Sequence, residues 1–188
     1  MQRIMKFLPS ILFIAIIGCG NQDESPESSG VQNSDVKKPT MDLFAAAATG
    51  NVEEINLHIK AGSDLNVKEP SRGSSPLLTA VVFDKYKAVE ALIKGGADIN
   101  QQNNEASTPL LTAAVFCRLE TVKLLLDNGA DRTMKNNAGK TALDVVSVPF
   151  EKVRPVYDNL AKSMAPMGIR FDYEYIKETR PKIAELLK

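Results

Sequence analysis

A nine-residue phrase occurs twice in this chain, and the spacing between its copies constrains the fold more than any other feature. Residues 75–83 read SPLLTAVVF, and residues 108–116 read TPLLTAAVF, 33 positions later. Pro76, Pro109 and Ala142 continue the same 33-residue spacing. One unit of this length cannot bury its apolar face alone, so the repeat predicts a stack of similar units with a continuous core.

The start of each unit carries the signals of a helix N-terminus. Ser75 and Thr108 are residue types whose side-chain oxygen accepts hydrogen bonds from free helix N–H groups. Pro76 and Pro109 follow at the first helical position, where a missing N–H costs nothing. These pairs predict that a helix begins at the same point of successive units.

The second half of each unit predicts an amphipathic helix. The segments AVEALIKGGADIN (88–100) and TVKLLLDNGADR (121–132) place their apolar residues on one helical face. Gly96 and Gly129 follow that face, where a left-handed residue commonly ends a helix. An earlier copy, AAATGNVEEINLHIKAGSDLN, covers residues 46–66.

Taken together, these segments resemble the ankyrin repeat, with a turn, a Thr-Pro-Leu helix start, a second helix with paired leucines, and Gly-Ala-Asp. The resemblance covers residues 41–188. It implies an all-α solenoid of about four helix-turn-helix units with short hairpin-like turns. The units are expected at about 41–69, 70–102, 103–135 and 136–188. The family binds other proteins, so the resemblance also implies a protein partner, no cofactor and no small-molecule substrate.

The fourth unit departs from the pattern by an insertion. Thr108 and Val122 are 14 positions apart in the third unit, whereas Thr141 and Ile183 are 42 apart in the fourth. The difference places 28 extra residues in roughly 148–178. This insertion is expected either to pack on the terminal repeat as a tolerated loop or to form a partner-specific element.

Local signals within the insertion predict short elements. EKVRPVYDNLAKSM (151–164) predicts a short helix, and Pro149, Pro155, Pro166 and Gly168 are typical of breaks. RPKIAELLK (180–188) predicts the delayed second helix of the fourth unit, with a cap near Thr179.

The resemblance implies that the residues before each inter-helix link lie on the concave face. Stacking would align the Val-Phe pairs at 82–83 and 115–116 with 148–149 as an exposed apolar ladder, which is a sign of an interaction site. The turn tips would supply a polar rim. The candidate protein-binding residues are Ser71, Arg72, Ser74, Val82, Phe83, Asn104, Glu105, Ser107, Val115, Phe116, Asn137, Lys140 and Val148. The alternative is that helix rotation, or the insertion folding back, buries the ladder.

Two positions differ from the family pattern at the link itself. The usual glycine is Asp84 in one unit and Cys117 in another. A left-handed backbone is less favourable for these residues than for glycine, so distorted links are expected.

Composition and residue types point away from catalysis and nucleic-acid binding. The 23 basic and 23 acidic side chains balance, which leaves no cationic excess for phosphate contacts. His58 is the only histidine, and it is expected to be a satisfied, partly buried residue. With Cys117 as the one thiol outside the N-terminal segment, the chain offers no set of zinc ligands. The chain is therefore predicted not to be an enzyme and to hold no metal.

The first residues predict export. Arg3 and Lys6 precede an apolar run at 7–17, which is too short to span a bilayer. The segment IIGC (16–19) resembles the lipobox of bacterial lipoproteins, which implies a signal peptide over 1–18 and a lipid on Cys19. An ordinary secretory signal is the alternative. Residues 19–40 are rich in Ser, Asp, Glu and Pro, which predicts a flexible tether between the lipid bilayer and the repeats.

These features favour a membrane-tethered module that binds an unidentified protein through its concave face. Gly20 is not the aspartate that holds lipoproteins at the inner membrane in enteric-type bacteria, so the outer membrane facing the periplasm is expected. An immunity or inhibitor protein that neutralises a secreted toxin or enzyme is an alternative. An enzyme whose site lies in the 148–178 insertion is a third hypothesis.

Overall fold

The computed structural model describes residues 37–188, and the predicted signal peptide, Cys19 and the tether up to residue 36 lie outside this range. The described part is all-α, with nine α-helices, one 3-10 turn at Ala165–Met167 and no β-strand. The helices are α1 Leu43–Thr49, α2 Val52–Lys60, α3 Pro76–Val82, α4 Tyr86–Lys94, α5 Pro109–Val115, α6 Leu119–Asp127, α7 Ala142–Ser147, α8 Phe150–Met164 and α9 Tyr173–Leu187.

The helices stack in two rows, as expected for an ankyrin-repeat solenoid. The first helices of the units, α1, α3, α5 and α7, pack against one another in chain order. The second row consists of α2, α4, α6 and α9 in the same order. One hydrophobic core runs between the rows from Leu43 to Leu187. Each unit buries its apolar faces against its neighbours, so no unit has a core of its own.

The predicted helix starts are confirmed by the capping contacts. The hydroxyl of Ser75 accepts from the backbone N–H of Leu78, and that of Thr108 accepts from Leu111, both at 3.2 Å. Thr141 forms a reciprocal capping box with Asp144. These contacts satisfy donors that the first helical turn cannot pair internally.

The links between paired helices keep one conformation in three units, and the expected distortion was wrong. Gly50, Asp84 and Cys117 all have left-handed φ angles of 79°, 57° and 54°. The stacking of the helices enforces this backbone whatever the residue. Asp84 gains a partner there, because its carboxylate lies 3.0 Å from the Arg118 guanidinium of the next link.

The end of the predicted tether is part of the folded structure. The backbone N–H and hydroxyl of Thr40 donate to the Glu54 carboxylate at 2.9 and 2.6 Å. The N–H of Met41 donates to the same carboxylate. These bonds lower the pKa of Glu54, with the Thr40 hydroxyl as the largest cause. Thr40 is therefore held against the first unit through the Glu54 carboxylate.

The helix predicted at 151–164 in the insertion is confirmed as α8, and the insertion also contains the first turns of α9. Helix α8 runs through Pro155, which removes one internal hydrogen bond but is exposed, so water can reach the freed carbonyl. Helix α9 begins at Tyr173 with Asp172 as its cap, so the predicted cap near Thr179 was wrong. Thr179 instead lies buried inside that helix.

Within residues 37–188, no helix combines the length and the apolar character needed to cross a bilayer.

Candidate protein-binding groove

A groove runs along the concave side of the second and third units, with an apolar floor and a polar rim. Its floor is formed by the first helices of these units, α3 and α5, and its rim by the turns that precede α3, α5 and α7. The cavity measures about 240 Å³. It is lined by Arg72, Ser74, Leu78, Val82, Asn103, Glu105, Ser107, Leu111, Thr112, Val115, Phe116, Asn136, Leu160 and Met164.

Each turn at the rim is held by one acceptor side chain. Glu69 accepts from the N–H groups of Ser71 and Arg72 at 2.7 Å. A hydrogen bond from the Ser71 hydroxyl, together with these two N–H contacts, lowers the pKa of Glu69 to about 2. In the next two turns an amide oxygen has this role. Asn103 Oδ1 accepts from Glu105 and Ser107, and Asn136 Oδ1 accepts from the corresponding N–H groups of its own turn.

Successive turn tips are also joined to one another. The N–H of Asn104 donates to the carbonyl of Arg72 at 2.9 Å, and the N–H of Asn137 donates to the carbonyl of Glu105 at 3.0 Å. The side-chain amide of Asn137 adds a bond to the Asn104 carbonyl at 3.0 Å. The rim is therefore a hydrogen-bonded row, with equivalent residues of neighbouring units aligned.

The insertion forms one wall of the groove and covers part of the predicted ladder. Met164 and Ile169 pack with Phe116 in a small hydrophobic cluster, and Phe171 lies with its ring centroid 5.7 Å from that of Phe116. Phe116 is only 7% exposed. The expectation that Phe116 is exposed was therefore wrong, because the insertion folds back over it. Phe83 is half-buried at the edge of the same cluster.

Burial changes the expected cost of altering Phe116. Truncating a buried phenylalanine typically costs about 3–5 kcal/mol of folding free energy. A change at Phe116 would therefore destabilise the fold, so a loss of binding in that variant would not identify the groove as the binding site. Val82, which lines the groove and is half-buried, is a better probe of this surface.

A buried polar network fixes the insertion to the repeats. The hydroxyl of Tyr157 donates to the Val115 carbonyl at 2.8 Å and accepts from Arg180 Nη1 at 2.9 Å. Arg180 Nη2 donates to the carbonyls of Val145 and Val148 at the end of α7. Burial raises the pKa of Tyr157 well above its usual value, so the hydroxyl keeps its proton. Arg180 is 4% exposed, and helix-end carbonyls stabilise its charge.

Cys117 belongs to the same region and is a packed residue. It is fully buried, with its sulfur 3.8 Å from the Tyr157 hydroxyl. Burial raises the pKa of the Cys117 thiol. A protonated thiol without solvent access is a poor nucleophile, so this position contributes packing at the link between α5 and α6.

His58 is held by two partners in the first unit. Its Nε2 donates to the Met41 carbonyl at 2.7 Å, and its Nδ1 lies 3.0 Å from the Ser63 hydroxyl. The ring is half-buried, as the sequence predicted. Because both nitrogens are engaged, His58 serves to attach the segment before α1 to the end of α2.

The structure brings together seven of the residues proposed from sequence and separates the rest. The groove is lined by Arg72, Ser74, Val82, Glu105, Ser107, Val115 and Phe116. Ser71, Asn104, Asn137 and Lys140 are exposed on the turns outside its lining. Val148 does not continue the ladder, because it lies beyond the end of α7, where its carbonyl binds Arg180.

Sequence reasoning missed several lining residues. Leu78, Leu111 and Thr112 face the groove from the first helices, and Asn103 and Asn136 face it from the turns. The repeat itself could have revealed Leu78 and Leu111, since they occupy equivalent positions 33 residues apart on helices that begin at the same point of each unit. Leu160 and Met164 had no such signal, because their place depends on how the insertion folds back.

Comparison with known families agrees with this architecture. A family model described as ankyrin repeats (3 copies) matches residues 43–136, which is half of the chain. The chain belongs to the ankyrin repeat family. Members of this family generally bind other proteins.

Two individual proteins are similar to parts of this ankyrin repeat chain. YahD of Escherichia coli strain K12, an ankyrin repeat protein by name, is 30% identical over 69 residues, which is 37% of this chain and 34% of YahD. Inversin of Gallus gallus is 37% identical over 60 residues, 32% of this chain and 5% of inversin. The matched region thus spans about a third of one relative and a small part of the other.

Proposed function

We propose that the chain is a membrane-tethered ankyrin module that binds a partner protein through the groove of its second and third units. The observation that carries the proposal is the groove itself, with an apolar floor under a polar rim. Protein interfaces commonly have this composition, with an apolar centre surrounded by hydrogen-bonding groups. The floor residue Val82 and the rim residues Arg72 and Glu105 are placed to contact the partner.

The proposed tether comes from the N-terminal sequence. The order of Arg3 and Lys6, the apolar run at 7–17, and Cys19 supports export and lipid attachment at Cys19. We place the module in the bacterial cell envelope, at the outer membrane facing the periplasm. Metabolic labelling with a palmitate analogue tests this. The wild type takes up label, whereas Cys19→Ala is unlabelled and soluble; equal labelling of both contradicts the lipid anchor.

We propose no catalytic role for the insertion. Its best candidate groups already have structural partners: the hydroxyl of Tyr157 is buried in the network with Arg180, and that of Tyr173 donates to Asp158 at 2.7 Å. Tyr175 is exposed and lies beside the Asp84–Arg118 ion pair, with no histidine or cysteine at that position. Tyr157 and Tyr173 therefore support the fold of the insertion.

Affinity capture tests the binding proposal. The full chain is isolated from detergent-solubilised envelope together with its partner. The double variant Val82→Ser with Glu105→Ala is expected to lose that partner, because it changes floor and rim together. Val67→Ser is the matched control, since Val67 is exposed outside the groove. A partner retained by the groove variant and lost by the control would reject the groove as the binding site.

A further inference from the structure

The insertion of the fourth unit changes what the groove can accept. An uninterrupted solenoid leaves its concave face open along all units. Here α8 lies across that face, and its residues Leu160 and Met164 complete the lining of the cavity. A segment entering the groove meets repeat residues on one side and insertion residues on the other.

The insertion is a fixed wall. The Tyr157 hydroxyl bonds to Val115 and Arg180 in a buried position, and Met164, Ile169 and Phe171 pack on Phe116. Displacing the insertion would leave the Val115 carbonyl and the Arg180 guanidinium without these partners, which is costly for buried groups. The pocket between the insertion and the repeats is therefore a permanent feature of the groove.

The pocket has room for one large apolar side chain. Its volume is about 240 Å³, and cavities of roughly 150 Å³ lined by Leu, Ile and Phe accept benzene. Leu78, Val82 and Leu111 form the repeat side, and Leu160 and Met164 form the insertion side. An apolar side chain entering here would contact repeat residues on one side and insertion residues on the other, and burial of apolar surface in this way is how interface anchors gain their energy.

Two opposite charges stand at equivalent positions of the rim. Arg72 and Glu105 are 33 residues apart, both are exposed, and neither forms an ion pair with another described residue. The bond from Asn104 N–H to the Arg72 carbonyl keeps their two turn tips side by side. Stacked helices lie about 8–10 Å apart, and an extended chain rises about 3.3 Å per residue. In an extended partner segment bound along the rim, the residues whose charges complement Arg72 and Glu105 would thus lie about three residues apart.

From these observations we infer that the groove binds an extended segment of its partner that carries one large apolar side chain and, about three residues apart, an acidic and a basic residue. The apolar side chain enters the pocket against Leu160 and Met164. The acidic residue pairs with Arg72 and the basic residue with Glu105. The inference rests on the proposed function and makes the insertion part of its specificity.

A peptide library displayed on phage tests the inference against the full chain in mild detergent. Enriched peptides are expected to share an apolar residue with an acidic and a basic residue about three positions apart. A synthetic peptide of that consensus is then titrated by fluorescence anisotropy. Leu160→Ala is expected to weaken binding by about tenfold or more, as for loss of an anchor contact. Val156→Ala, an exposed position of the same helix, is the matched control and keeps wild-type affinity.

A charge exchange gives a second readout that does not touch the core. Arg72→Glu combined with Glu105→Arg alters only exposed rim residues, so the fold is expected to be unchanged. This variant should bind the consensus peptide weakly and recover affinity for the peptide whose acidic and basic residues are exchanged. Failure of the exchanged peptide to recover binding contradicts the charge pairing.

The outcomes separate this inference from the proposed function. If peptide binding needs Val82 but is unchanged by Leu160→Ala, the role of the insertion is rejected, and the groove remains the proposed binding site. Peptides that tolerate both Val82→Ser and Leu160→Ala bind elsewhere and count against the groove as well. If no peptide is enriched, recognition of a linear segment is rejected, and the groove is judged by capture of the native partner.

Discussion

Arg180 Nη1 donates to the hydroxyl of Tyr157 across 2.9 Å, and this buried bond joins the last helix to the insertion. The same hydroxyl donates to the Val115 carbonyl, so a single oxygen connects α5, α8 and α9. The bond explains how a long insertion can be part of an ankyrin stack. It holds the insertion against the concave face, where it becomes a wall of the groove.

Tyr157→Phe is expected to destabilise the fold by about 1–3 kcal/mol, because the buried Val115 carbonyl and the buried Arg180 Nη1 each lose their hydrogen bond to the hydroxyl. Denaturant unfolding followed by circular dichroism measures the change. Tyr175→Phe is the matched control, since Tyr175 is 47% exposed, and its effect is expected within about 0.5 kcal/mol. Equal effects at the two tyrosines would contradict the anchoring role of Tyr157.

Ala106→Gly is expected to stabilise the protein by about 1 kcal/mol. Ala106 has a φ of 55° and occupies the turn position that glycine holds in the neighbouring turns, at Gly73 and Gly139. Glycine removes the steric cost of a left-handed backbone. The gain in stability is reduced by the conformational entropy that glycine adds to the unfolded chain. Thermal melts of both proteins measure the shift.

The reverse change supplies a graded control. A Cβ on Gly73 would lie 2.3 Å from Asn104 Oδ1, whereas one on Gly139 meets nothing within 4 Å. Gly73→Ala should therefore cost more than Gly139→Ala. If Ala106→Gly destabilises, the turn does not require the left-handed backbone described here.

Ile183→Ala is expected to cost about 2–5 kcal/mol, because Ile183 is fully buried between the rows of the last unit. Leu186→Ala, on the same helix but half-buried, should cost clearly less. Urea unfolding compares the two. A similar small loss at both positions would mean that α9 does not close the fourth unit.

The Glu69 carboxylate predicts a pH-dependent stability of the rim. Bonds from Ser71 and Arg72 lower its pKa from 4.5 to about 2 in the folded state. Because the folded pKa lies below the unfolded one, its contribution is complete above about pH 4.5 and is lost as pH falls toward 2. Glu69→Gln should remove part of the stability change over that window, as followed by urea midpoints from pH 6 to pH 3.

Glu105→Gln is the control for that series. Its side chain holds no turn N–H, since Asn103 has that role in its turn. It should therefore keep the pH dependence of the wild type. If Glu69→Gln also keeps it, the Glu69 bonds do not stabilise the folded protein.

Local signals predicted most of the repeat fold because each depends on residues close in sequence. Ser75 and Thr108 marked helix starts, and Gly96 and Gly129 have the expected left-handed backbone after the second helices. The distortion expected at Asp84 and Cys117 was wrong, since stacking imposes the same link on each unit. Local preference is weaker there than the packing of neighbouring helices.

The insertion and its first helix could be predicted from sequence, but not the way it packs on the repeats. Its length followed from the spacing of Thr141 and Ile183, and the helix expected at 151–164 is α8, which continues through Pro155 without the break typical of proline. Burial of Phe116 depends on contacts with Met164, Ile169 and Phe171, about 50 residues later in the chain. No periodic pattern specifies contacts at that separation, so the wall of the groove was missing from the sequence-based site.

The central claim is that a partner protein occupies the groove of the second and third units. In-cell photo-crosslinking tests it most directly, with a photoreactive phenylalanine analogue placed at position 82 in the groove or at position 67 outside it. We predict one discrete crosslinked species from position 82, reduced by the Arg72→Glu, Glu105→Arg exchange, and none from position 67. No adduct at position 82, or the same adduct from both positions, would contradict the claim.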